Sequence, residues 1–359
     1  MIRRAGQNEC KQWVVFRLGH LGDVTLCSGV LAHLAAARGW EFTFVTRRLF
    51  ADIYKNNPYV QHVVCVDEED LAFRSFTDFS RGMARRYKGW GLLDLHGSLR
   101  SRLFSFFWRG PVWSYEKLSL ERRLFLWSKG EKCREQLLKY NVPQRYYLAL
   151  RGMRDMDDVP PREALVPRIW LSQEERDDAR KKLDTLVGDN NAPVALHPYA
   201  THELKAWPRE NWRELAMQLE KQGTPWIALG RGKPMFSDQD PCCGKDLTNA
   251  TTLRELCALL SWCRVLVTGD SGPMHLAAAV QTPVIALFGP TTAEWGFYPE
   301  GANDKVLQRD LPCRPCSLHG RKPCRNNGVC LSDIPLADVL EALKSHETTA
   351  RYRAKAPFE

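Results

Sequence analysis

Val267-Thr-Gly-Asp-Ser-Gly-Pro-Met-His275 joins an apolar run, Val265 to Val267, to a helical pattern from Pro273 to Ala279. A strand that ends on a glycine turn and feeds straight into a helix leaves the first helical N–H groups unbonded, at the positive end of the helix dipole. That suits an anionic diphosphate, so the stretch reads as a nucleotide-sugar site. Ser271 and Gly272 supply amide donors. Asp270, being anionic, suits a ribose hydroxyl or an ordering role in the turn. His275 lies one turn into the helix, either as a donor toward the same pocket or as a structural histidine.

The same strand–turn–helix alternation extends along the chain. Trp13 to Leu18 leads through Gly19-His-Leu-Gly22 into a helix from Thr25 to Arg38, closed by Gly39, and Phe42 to Thr46, His62 to Val66 and Leu92 to Leu95 follow as short strands. After Pro167 a second series begins. Ser172 and Glu175 form a capping box for a helix that stops at Gly188, followed by the strand Val194 to His197, a helix near Asn211 to Gln222 and the strand Trp226 to Leu229. A helix near Leu253 to Leu260, the opening stretch and the strand Val284 to Phe288 complete it. The pattern implies two Rossmann-like, doubly wound parallel-sheet α/β domains, 1–165 and 166–359, with prolines at 160, 161 and 167 marking the boundary.

With 359 residues, 44% hydrophobic and 26% charged, the chain can bury two cores and does not read as disordered. No segment has the form of a signal peptide or a membrane span, which predicts a cytoplasmic protein. The net charge of +9 is concentrated: Arg81 to Arg134 holds thirteen Lys or Arg against four Asp or Glu, interleaved with aromatics such as Trp90, Phe104, Phe106 and Trp127. Such a mixture suits a nucleic acid, an anionic membrane surface or a phosphorylated glycolipid, and equally a solvated basic face over an aromatic core.

In doubly wound sheets ligands bind beyond the carboxyl ends of the strands, so the loops there carry the chemistry. Gly19 and Gly22 permit a close turn that presents Asp23 at the mouth of a helix, as a general base or as an N-cap. The loop lacks the third glycine of a dinucleotide fingerprint, which disfavours a nicotinamide enzyme. Beyond His197, Thr201 and Lys205 supply a hydroxyl and an ammonium that can hold phosphate oxygens, unless the lysine is merely solvated. Gly230 and Arg231 give backbone room for a ribose or base.

Arg17-x-x-x-x-Gly-Asp23, Lys205-x-Trp-Pro208, Gly269-Asp-Ser-Gly-Pro-Met-His275 and Thr282-Pro-Val-Ile-Ala-Leu-Phe-Gly-Pro-Thr291 together resemble glycosyltransferase family nine, the lipopolysaccharide heptosyltransferases. The resemblance runs through most of the chain in the expected order. It implies a GT-B fold, two domains facing across a cleft with acceptor bound by the first and donor by the second. It also implies an ADP-heptose donor or a similar nucleotide sugar, inversion at the anomeric carbon and no metal in catalysis. By the same resemblance Asp23 is the base, Lys205 the diphosphate lysine, Thr201 a phosphate contact, and Asp270, Ser271, Gly272 and His275 the nucleotide loop. Asp94-Leu-His-Gly-Ser-Leu-Arg100 resembles an acceptor-side stretch in which many relatives carry Gln where this chain has His96. The position before Thr201 is Ala200, where some relatives have a second Thr. Gly22, His96, Arg100, Arg122 and Arg123 are then the acceptor-side candidates. The basic region would meet a lipid A inner-core glycolipid and the anionic inner face of the inner membrane, and nucleic acid is excluded as a partner because it leaves the Asp23, Lys205 and Asp270 loops unexplained. A sugar transferase using another donor, an epimerase of the same fold, and a silent nucleotide-binding module are the alternatives.

Cys313, Cys316, Cys324 and Cys330 cluster in a Pro- and Gly-rich stretch and form a candidate structural zinc site, a redox-dependent disulfide or a set of free thiols. In the architecture that the resemblance implies, a last helix, here Leu336 to Lys344, can cross back to the first domain, and a basic tail follows to Glu359.

Overall fold

The computed structural model describes residues 10–346 apart from 154, 155, 157, 190, 237–244 and 322; the basic tail lies outside the described residues. The chain divides into two units, residues 1–119 with 139–170, and residues 120–138 with 171–359.

The first unit is a five-stranded parallel sheet in the order β3-β2-β1-β4-β5, formed by β1 (Gln12–Phe16), β2 (Glu41–Arg47), β3 (Val60–Val66), β4 (Gly91–Asp94) and β5 (Val112–Ser114). β1 and β4 lie inside the sheet and, apart from the exposed Gln12 at one end and the buried Asp94 at the other, are apolar and buried, as a parallel sheet covered by helices requires. α1 (Leu21–Arg38) follows β1 and ends at Gly39, whose positive φ lets its N–H return to the Ala35 carbonyl. Its first turn is closed by the His20 N–H donating to Asp23. The helix thus starts four residues before the expected Thr25, and Asp23 sits inside its first turn, not before it. α2 (Arg48–Ala51), α3 (Phe73–Arg86), α4 (Leu99–Phe107) and α7 (Val142–Tyr147) complete the unit. α3 turns Phe76, Ser80, Met83 and Ala84 inward against Phe104 of α4 and leaves its arginines outside.

The second unit is a six-stranded parallel sheet in the order β11-β10-β9-β6-β7-β8, formed by β6 (Val194–His197), β7 (Trp226–Ala228), β8 (Lys245–Asp246), β9 (Val265–Gly269), β10 (Val284–Phe288) and β11 (Lys305–Gln308). Its helices are α5 (Ser119–Ser128), α6 (Glu131–Leu138), α8 (Gln173–Val187), α9 (Arg209–Lys221), α10 (Leu253–Trp262), α11 (Gly272–Ala279), α12 (Val329–Ser332) and α13 (Leu336–Lys344). Ser172 and Thr252 cap α8 and α10, and the Arg254 guanidinium ties the two helices by a double hydrogen bond to Glu175.

One feature differs from a single boundary near residue 165. Residues 120–138 leave the first unit after β5 and pack in the second, because Phe125 meets the Trp295 ring edge-on and Arg134 pairs with Glu294, before the chain returns at Lys139. α13 packs on α9, β10 and β11, with Val339, Ala342 and Leu343 in the core of its own unit. No helix among the described residues is long and apolar enough to cross a membrane.

Candidate functional site

In the first unit the chemistry gathers at the carboxyl end of β1. Arg17 follows the strand and is almost fully buried, with one guanidinium nitrogen donating to the Leu95 carbonyl and another 2.5 Å from Asp23 Oδ2. Tyr146, carried in by α7, donates its hydroxyl to Asp23 Oδ1 at 2.9 Å, and its ring lies under the Arg17 guanidinium and edge-on to Tyr115. Burial on its own would push the Asp23 carboxyl up. The Arg17 charge, the Tyr146 hydroxyl and the His20 N–H outweigh it and hold the pKa below the usual aspartate value. The Asp23 side chain keeps 13% of its surface exposed.

His96 stands beside this group. Asp94 accepts the N–H groups of His96 and Gly97, which shapes the turn before α4, and the His96 ring meets Phe16 edge-on. Burial first, then the positive charges of Arg17 and Lys117, push the His96 pKa down to about 3. The imidazole is therefore neutral at physiological pH and, like an amide, offers one donor and one acceptor.

In the second unit Lys205 ends a helical turn after β6 and pairs with Asp270, the residue after β9. The same Asp270 oxygen accepts the Thr291 hydroxyl at 2.6 Å. Both charged side chains are largely buried. Asp270 therefore faces the lysine and the Thr291 hydroxyl, the arrangement of a residue that orders its turn. Ser271 precedes α11 and turns its hydroxyl away from the helix amides, toward Thr268 Oγ1 at 3.0 Å and His197 Nδ1 at 3.4 Å. The amides at the start of α11 keep their donors clear of that side chain. Burial pushes the His197 pKa down to about 4, so this ring too is neutral. His275 is buried one turn into α11, near the Phe297 ring. Thr201 is exposed on the same loop as Lys205.

Other expected residues fall elsewhere. Gly230 has φ +141°, and a Cβ there would stand 2.4 Å from the Tyr199 ring, while Arg231 is exposed. Gly22 is buried in α1. Arg100 is exposed on α4, near the Leu71 carbonyl and over the Phe76 ring. Arg122 and Arg123 ride on α5 with the second unit, where Arg122 donates to the Trp295 carbonyl and lies over Phe297.

Cys313, Cys316 and Cys324 lie in the loop after β11 and Cys330 in α12, and among the described residues no three His, Cys, Asp or Glu side chains are arranged to hold a metal ion. Cys324 accepts the N–H groups of Asn326 and Gly328, Cys313 accepts the Asn326 side-chain amide, and Cys330 is buried close to Gly289. The donor set as placed does not fit a zinc ion. The loop has another contact: Gly320, at φ +76°, lies against the stem of Lys205, where a Cβ would come within 2.9 Å of Lys205 Cγ.

Sequence reasoning gave no role to Tyr146, Thr291 or His197, and quoted Arg17 only as part of a motif. A charged residue at the end of the apolar run Trp13 to Leu18 was the available signal, since a buried guanidinium demands a partner. Tyr146 and Thr291 lie 123 and 21 residues from the carboxylates they bond, so no local pattern links them.

Two parallel-sheet α/β units, one with a clamped carboxylate after β1 and the other with a lysine at the head of α11, make a GT-B-type architecture. The chain belongs to glycosyltransferase family 9 (heptosyltransferase), whose family model matches residues 90–327. It spans about half the length of the first curated relatives it matches, being 36% identical to lipooligosaccharide heptosyltransferase 2 of Campylobacter jejuni over 170 residues, 42% of this chain and 50% of that one. It is 29% identical to lipopolysaccharide heptosyltransferase 1 of Pseudomonas aeruginosa over 329 residues, 84% of this chain and 85% of the relative. Its fold is similar to that of the ADP-heptose lps heptosyltransferase II of Escherichia coli, with a TM-score of 0.68 at 21% identity, covering 95% of this chain and 99% of the other.

Proposed function

We propose that this protein transfers heptose from ADP-heptose to the inner core of lipopolysaccharide, with inversion at the anomeric carbon, at the inner face of the inner membrane. The observation that carries the reading is the buried Lys205–Asp270 pair beside the start of α11. There an ammonium and a helix N-terminus can together take the charge of a departing diphosphate. Asp23 removes the acceptor proton as the new C–O bond forms and the bond to the diphosphate breaks. A single displacement needs only this one carboxylate. Arg17 and Tyr146 hold it ionised and aimed, and neutral His96 orients the acceptor through a hydrogen bond. With the leaving group met by Lys205, catalysis requires no metal, and transfer is expected to continue in EDTA.

The test is a binding panel of ADP, UDP, GDP and NAD, followed by product detection with ADP-heptose and a truncated core acceptor. Selective ADP binding, weakened by Lys205→Ala, and acceptor-dependent transfer support the reading. Tighter binding of another nucleotide redirects the donor, and donor turnover without acceptor identifies an epimerase. Metal analysis of protein purified without chelator tests the zinc expectation for the four cysteines: stoichiometric metal supports it, and its absence ends it.

A further inference from the structure

The first unit carries a surface that the proposed chemistry does not use. α3 and α4 pack side by side through Phe76, Phe79 and Phe104, and their outer faces hold three apolar side chains with almost no cover: Phe73 is 76% exposed, Leu99 82% and Phe106 79%. Along α4 the outward positions alternate in kind: Leu99, Arg102, Phe106, then Arg109 just past its end. Arg74, Arg81, Arg85 and Arg86 are exposed on α3. Between residues 73 and 109 there are eight Lys or Arg against Asp78 and the buried Asp94; of the acidic run at 67–70 just before α3, Asp67 and Glu68 are paired with Arg48 and Arg47. The two helices are also cross-braced, Arg100 over the Phe76 ring and Arg81 over the Phe107 ring, so the exposed side chains project from a rigid base.

We infer that the α3–α4 face is a docking surface for an anionic lipid bilayer, with Phe73, Leu99 and Phe106 entering the headgroup boundary and the surrounding arginines pairing with lipid phosphates. Charge decides the occupant. A helix face that alternates bulky apolar side chains with arginines gains twice at such an interface, from apolar burial and from anionic headgroups. A protein partner or a second copy of this chain would have to supply a dense acidic surface to match it. A nucleic acid would match the arginines and leave Leu99 and Phe106 in water. The inference rests on the acceptor being lipid-anchored, and docking would hold the first unit at the depth of its sugars.

The test measures sedimentation of the full chain with phosphatidylglycerol-containing and pure phosphatidylcholine vesicles, without donor. Binding is expected to the anionic vesicles only and to fall as salt is raised. Leu99→Ser with Phe106→Ser should weaken it about tenfold, and Arg102→Gln with Arg109→Gln roughly 25-fold, about fivefold for each charge. All four positions are exposed, and an unchanged thermal midpoint verifies folding. Transfer to a soluble, deacylated acceptor should be unaltered in both double variants, while transfer to acceptor embedded in vesicles falls. Hydrogen exchange of the unmodified protein should slow at 73–86 and 99–109 when vesicles are added. Equal binding to neutral vesicles, unchanged binding of both double variants, protection confined to α5, or displacement of vesicles by nucleic acid overturns the inference. Wild-type protein that docks on vesicles but transfers nothing to the soluble acceptor would overturn the proposed function and leave the surface standing.

Discussion

Asp23 is held by two groups that differ in kind, a cation and a neutral hydroxyl, and they can be removed separately. Asp23→Asn is expected to lower turnover about 10²–10⁴-fold with nucleotide affinity unchanged. The variant also leaves the buried Arg17 without its counter-charge, a loss worth up to about 3–5 kcal/mol. A melting curve must therefore accompany the kinetics, and full activity in a folded variant would remove Asp23 from the role. Tyr146→Phe keeps the ring against Arg17 and deletes only the donor. Because the Asp23 pKa lies below the ordinary aspartate value, activity should persist at pH above that value and be lost as pH falls through the lowered one. The stability the pair contributes follows the same course. Deleting the Tyr146 donor lets the pKa rise, so the acid limb of kcat/KM should move to higher pH; a limb that stays in place excludes the hydroxyl from tuning the base.

At the level of elements, much was legible because parallel sheets write themselves as apolar runs. β6 and β10 fall at the expected residues, as does α13, and the Ser172 capping box starts α8 where its spacing said it would. The start of α1 was not, because His20 is a poor capping residue by type and the turn is closed from inside by Asp23. α4 was hard to read because its outer face carries Leu99 and Phe106 among arginines, which blurs the apolar period, whereas α3 has a clear amphipathic pattern that its many arginines mask only in overall hydropathy. Gly230 has a packing role that no local sequence pattern announces. Its freedom serves the Tyr199 ring, whose hydroxyl lies 2.5 Å from Thr248 Oγ1. Gly230→Ala is expected to destabilise the second unit by about 1–3 kcal/mol through overpacking, with added strain from the positive φ. Denaturant unfolding checks this, and an unchanged midpoint would mean that Tyr199 moves aside freely.

For the whole molecule, the two parallel-sheet units were readable from the double series of strands, whereas their composition along the chain was not. Nothing local in Leu120 to Leu138 says which sheet it will join; Phe125 and Arg134 find Trp295 and Glu294 only after the rest of the second unit has been specified. A fragment beginning at residue 166 should therefore melt at a lower temperature than one of the same unit with 120–138 joined to it, as thermal denaturation of the two would report. Equal midpoints would show that α5 and α6 add nothing to the core. The same excursion sets a timetable. Arg122 and Trp295 are 173 residues apart, so at synthesis rates of about 5–20 residues per second α5 leaves the ribosome roughly 10–30 s before its partner exists. For that interval Phe125, Leu124 and Trp127 are an unclaimed oily segment on a growing chain. The first unit can close around it, but the second cannot begin its final packing until nearly all of the protein has been made.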